Sequence, residues 1–94
     1  MENIPSIELL EATHTFPGPY TFKVIGHSAD DFVGRVVGAV REELEHSNDP
    51  HYAVRQTSGG DRISITLSPY IDAADQVQAI YRRIGELAGL IMLL

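Results

Sequence analysis

Arg62-Ile63-Ser64-Ile65-Thr66-Leu67-Ser68-Pro69-Tyr70 sets Ile63, Ile65 and Leu67 on one side of an extended chain and Ser64, Thr66 and Ser68 on the other. Side chains alternate across a strand, so this period of two describes a sheet with one face in a core and the other polar. Two elements precede it: the turn cluster Ser58-Gly59-Gly60-Asp61 and, before that, Tyr52 to Ser58, carrying Val54, Arg55 and Thr57. Together they predict a β-hairpin. Further upstream, Tyr20 to Gly26 alternates in the same way, Tyr20, Phe22 and Val24 against Thr21, Lys23 and Ile25.

Helical spacing fills the gaps between these strands. Phe32, Val33, Val36, Val37, Val40 and Leu44 make one apolar stripe to about residue 45. It follows Ser28-Ala29-Asp30-Asp31, in which Ser28 with an acid three places on reads as a helix cap. Gly34 and Gly38 inside that stripe each cost roughly 1 kcal/mol relative to Ala, which points to close packing. Val77, Ile80, Tyr81, Ile84 and Leu87 make a second stripe, with Asp72 placed to cap it and Gly89 to end it. Leu90 to Leu94 then reads as a last strand.

The resulting order, β-α-β-β-α-β, predicts an α+β ferredoxin-like sandwich: a four-stranded antiparallel sheet, strand order 4-1-3-2, with two helices on one face. Residues 1–19, rich in Pro and Gly near their end, read as an N-terminal arm, and 20–94 as a single domain.

Composition narrows the function. The 94 residues carry 7 basic and 13 acidic side chains, a net charge of −6, and no Cys. Thiol nucleophiles, CxxC redox or metal sites and a disulfide scaffold are thereby excluded. An acidic chain repels phosphate backbones, and the outward residues Thr21, Lys23, Ile25, Ser64 and Thr66 offer no aromatic platform for bases. No nucleic acid is expected as a partner. The longest apolar run, Leu90 to Leu94, is far short of the roughly 20 residues of a membrane span, so no membrane partner is expected either. Met1-Glu2-Asn3-Ile4-Pro5 has neither the basic nor the apolar region of a secretory signal, which makes the cytoplasm the expected location. His14, His27, His46 and His51 lack the helical i, i+4 spacing of zinc ligands, and there is no nucleophile elbow or phosphate loop. The expectation is therefore a protein without metal, cofactor or enzymatic activity.

The end of the chain is the anomaly. A strand with one wet face should alternate, yet Leu90, Ile91, Met92, Leu93 and Leu94 are all apolar, so both faces should be shielded. An exposed Leu or Ile forgoes roughly 1.5 to 3 kcal/mol. Ile25, Ile91, Leu93 and Leu94 are accordingly the predicted interface, covered by the arm through Ile4, Ile7 and Leu10, by a partner protein, or by a second copy in a homodimer. A second candidate is a small-metabolite site where the first strand meets its helix, at Gly26, His27 and Ser28, with Lys23 and Arg55 as outer-face cations. Free N–H groups at a helix start favour an anion there, whereas Asp30 and Asp31 oppose one.

Several of these residues also carry a family likeness. They are Phe16-Pro17, Tyr20-Thr21-Phe22-Lys23-Val24-Ile25-Gly26, Asp31-Phe32-Val33, Val36-Val37, Ser58-Gly59-Gly60, Ile63-Ser64-Ile65-Thr66-Leu67, the spacing of Val77, Ile80, Tyr81 and Ile84, and Met92-Leu93-Leu94. Over about residues 16–94 the chain resembles the YbeD-like family of small bacterial proteins, also called lipoate regulatory proteins, whose biochemical role is not established. The resemblance implies an ACT-like fold, and with it metabolite sensing or dimerisation. It carries over no catalytic or binding residues. The expected function is a small regulatory or protein-interaction domain acting through the outer sheet face, the alternative an ACT-like metabolite sensor.

Overall fold

A computed structural model describes residues 4–57 and 59–94, so Met1, Glu2, Asn3 and the Ser58 of the expected turn cluster lie outside the described residues. The architecture is α+β. Its elements in chain order are α1 (Ile7–Thr13), β1 (Gly18–Pro19), β2 (Phe22–His27), α2 (Phe32–Leu44), β3 (Tyr52–Gln56), β4 (Arg62–Leu67), β5 (Tyr70–Ile71), α3 (Ala74–Gly85) and β6 (Leu90–Leu93). Four strands form one antiparallel sheet in the order β3-β4-β2-β6, and β1 pairs with β5 in a separate two-stranded ribbon.

Alternation sets which side chains meet. Phe22 lies opposite Leu67 and Val24 opposite Ile65, and all four are fully buried. They share one core with Phe32, Val36, Val37, Val40 and Leu44 of α2 and with Ala74, Val77, Ile80, Tyr81 and Ile84 of α3. Each large side chain removed from water in this way contributes roughly 1.5 to 3 kcal/mol, which makes this layer the main stabilising term. Within it the hydroxyls of Tyr20 and Tyr81 are 3.2 Å apart and satisfy each other. Burial, reinforced by that hydrogen bond, holds the Tyr81 phenol well above its ordinary pKa.

Several boundaries differ from the sequence expectation. The long third strand stops at Leu67 and a separate strand, with a different partner, begins at Tyr70: the Ser68 N–H still donates to the His51 carbonyl, but Pro69 after it has no N–H to continue the ladder. The cap of α2 is Asp31, not Ser28: its carboxylate accepts from Gly34 N at 3.2 Å. Asp72 does not cap α3 either. Ala73 holds that position without a side-chain bond, and the Asp72 N–H donates to Gln76 Oε1 at 2.7 Å. Gly34 serves the cap, since a Cβ there would overlap the Asp31 carboxylate.

Residues 4–19 do not hang off the domain as an arm. Leu10 is 1% exposed and belongs to the core, Ile4, Ile7 and Phe16 pack against it, and α1 lies on α3. The Pro5 carbonyl accepts from Gln78 Nε2 at 2.9 Å, and Gly18–Pro19 pairs with Tyr70–Ile71. This segment therefore sits on the helix side and does not lie over the outer sheet face, so of the covers the sequence left open for the last strand, the arm is the one that residues 4–19 do not supply. No helix among the described residues is long and apolar enough to cross a membrane.

Candidate functional site

β6 is an edge strand, and its register decides what it presents. Leu93 pairs with Val24 and Met92 with Ile25, while Gly26 pairs with Leu90, so Ile91 is an extra residue at a bulge. Val24 points into the core, and Leu93 beside it is 8% exposed. Leu93, predicted at the interface, is therefore a core residue. Met92, which the sequence reading did not single out, takes the outward place beside Ile25 and is 48% exposed; Leu94 is 59% and Ile91 37% exposed. Leu94 exchanges backbone hydrogen bonds with Lys23 at 2.8 and 3.1 Å, so it stands opposite Lys23 on the outer face. Ile25, Met92 and Leu94 thus form an apolar strip along one side of that face.

The remainder of the face is polar and cationic. Register places Lys23 beside Thr66, Ile25 beside Ser64, His27 beside Arg62, and Arg55 across Ser64 from Ile25. Lys23, Arg55 and Arg62 thus surround Ser64, each a cross-strand, diagonal or same-strand neighbour at roughly 5 to 8 Å. All three are exposed. Among the described residues none of them has a carboxylate within salt-bridge distance; the ion pairs are Arg41–Asp49 at 2.6 Å and Arg83 with Glu42 and Glu43 at 3.9 and 3.5 Å. The four strands of this sheet carry no Asp or Glu at all. A chain with a net charge of −6 therefore turns a positive face outward on its uncovered side.

The junction between β2 and α2, the predicted metabolite site, is built differently. Gly26 is buried beneath the Phe32 ring, and a Cβ at that position would overlap the ring. Gly26→Ala is expected to cost about 1 to 3 kcal/mol, with Phe32→Leu in the same chain restoring part of it, as read by urea unfolding; additive losses would show that the two positions do not meet. Asp30 and Asp31 both adopt left-handed backbone, with φ of 54° and 51°. Arg35 braces this turn, donating from Nε to the Asp30 carbonyl at 2.9 Å and from Nη1 to the Ala88 carbonyl at 2.8 Å, its guanidinium 5.5 Å from the Phe32 ring centre. The Ser28 hydroxyl accepts from Gln56 Nε2 at 3.2 Å, and the Ser28 and His27 N–H groups donate to the Asp61 and Gly89 carbonyls. An open dent of about 290 Å³ remains beside Ser28, Asp30, Asp31 and Ile63.

The structure thus separates the residues predicted for one ligand site. Lys23 and Arg55 lie on the outer face with exposed His27, whereas Gly26 and Ser28 serve the packing and hydrogen bonding of the junction. The signal that finds the cationic face is strand alternation applied to β3 and β4 together, which places Arg55 and Arg62 on the side of Lys23. Among the described residues no three His, Asp or Glu side chains are grouped to hold a metal ion.

Comparison with known proteins points to one family. The model of a family described as "Protein of unknown function (DUF493)" matches residues 11–94. The chain is 32% identical over 80 residues to a UPF0250 protein of Yersinia enterocolitica, and 30% identical over 80 residues to the UPF0250 protein YbeD of Escherichia coli; each match covers 85% of both chains. A UPF0250 protein of Vibrio cholerae is 27% identical over 87 residues, covering 93% of this chain and 92% of its own length. With nearly the whole domain matched end to end, the chain belongs to the DUF493, or UPF0250, family of small bacterial proteins of unknown function, in which YbeD is a relative.

Proposed function

We propose that the protein is a non-enzymatic docking domain of regulatory type that engages another protein through the outer face of its sheet. The observation that carries this reading is the bare face itself: Ile25, Met92 and Leu94 are aligned there with no element of residues 4–19 over them. Apolar side chains held side by side in water on a small domain are a marginal-stability cost that a partner surface relieves. The strand order β3-β4-β2-β6, with α2 and α3 packed on one face, supports reading the domain as ferredoxin-like and akin to ACT-type regulatory modules. Metabolite sensing at the β2–α2 junction has less support, since its polar groups are spent internally and two carboxylates line the dent.

The test is site-specific photo-crosslinking in the cell of origin. A benzoylphenylalanine at Thr66, in the middle of the outer face, is expected to yield a heteromeric adduct that the same residue at Glu45, on the helix side, does not. Adducts from Glu45 alone, or from neither position, would overturn the reading.

A further inference from the structure

We infer that the occupant of the outer face is a single acidic, amphipathic segment of another protein, carboxylates toward Lys23, Arg55 and Arg62 and apolar side chains toward Ile25, Met92 and Leu94. This rests on the docking reading above and names its partner class. Charge is the first argument. Three of the seven basic residues lie on this face, and among the described residues its four strands carry no acidic one, in a chain whose net charge is −6. Of the other four cations, Arg41 and Arg83 are paired to carboxylates and Arg35 is spent on two backbone carbonyls, while exposed Arg82 on α3 belongs to no group of cations around one residue such as the outer face has. Exposed guanidinium groups facing no carboxylate among the described residues are a fork-shaped complement to carboxylates brought by a partner.

The same pattern argues against a second copy. Packing two outer faces together would set Lys23, Arg55 and Arg62 against their own counterparts, a like-charge juxtaposition that suppresses such pairing. Size argues the same way. Four strands about 4.8 Å apart and six residues at about 3.4 Å give a flat patch of roughly 400 Å², against roughly 800 Å² per partner in a stable interface. A patch of that size suits one helix or one extended segment. Nucleic acid fits less well, because the face carries no Phe, Tyr or Trp on which a base could stack and only one imidazole, His27, at its end.

The Thr66 crosslink in intact protein tests this in three backgrounds. R55E/R62E is expected to cut the adduct at least tenfold, R55Q/R62Q to cut it less, and R82E, a charge reversal on α3, to leave it unchanged, all with melting temperatures near that of the parent. An adduct that survives R55E/R62E but is lost in M92K/L94K overturns the acidic class and leaves the docking reading intact. A species of twice the chain mass, or one removed by ribonuclease, also overturns it, in favour of a second copy or of RNA. Absence of any adduct in the parent removes the docking reading and this inference with it.

Discussion

Leu93→Lys is expected to destabilise the protein by about 3 kcal/mol or more, while Met92→Lys, one residue away, stays within about 0.5 kcal/mol. The difference follows from the register of β6. Leu93 stands beside Val24 under the helices, so a lysine there must either bury its ammonium or pull the strand away from β2. Met92 stands beside Ile25 in water, where an ammonium stays hydrated. Urea unfolding followed by circular dichroism reads both. Equal losses, or a larger loss at Met92, would mean that the last strand is in the opposite phase and that the apolar strip on the outer face does not exist.

Leu10→Ala is expected to cost about 2 to 5 kcal/mol, against no measurable change for Leu9→Ala. Leu10 is fully enclosed by the core, and Leu9 beside it is exposed. A chain of this length has roughly 5 to 14 kcal/mol of total stability, so the loss corresponds to a fall of about 10 °C or more in Tm. A melting curve that leaves Leu10→Ala within a degree of the parent would show that α1 is not part of the folding unit. It would also return the N-terminal segment to the list of what could cover the outer face.

These two tests mark where sequence reading succeeds and where it stops. Alternating residues such as Ile63, Ile65 and Leu67 declare both the strand and its inward side, and Ile65 and Leu67 are indeed fully buried. Leu90 to Leu94 contain no alternation, so nothing in the string distinguishes Leu93 from Met92; the bulge at Ile91 and the pairing with Val24 assign their sides. The same limit applies to the N-terminal segment. Its Pro and Gly residues mark a break after α1, yet Gly18–Pro19 is itself a short strand, and no local pattern says whether Leu10 turns toward the helices or toward the sheet. Capping was misplaced for a related reason: several oxygen-bearing residues precede each helix, and the backbone turn decides which one reaches the free N–H groups.

What the sequence determined by itself is the four strands of the main sheet, the two longer helices and the inward side of the alternating strands, because periodicity is a local property that each segment carries whole; the short α1, β1 and β5 have too few residues to show one. It also determined the net charge and the lack of thiol chemistry. Only the tertiary structure decided that Lys23, Arg55 and Arg62 gather around one residue, Ser64, that Leu93 is core while Met92 is surface, and that residues 4–19 cover helices and not sheet. Each of these depends on the register between strands distant in the chain, which is settled when apolar faces are buried together and is written in no single segment.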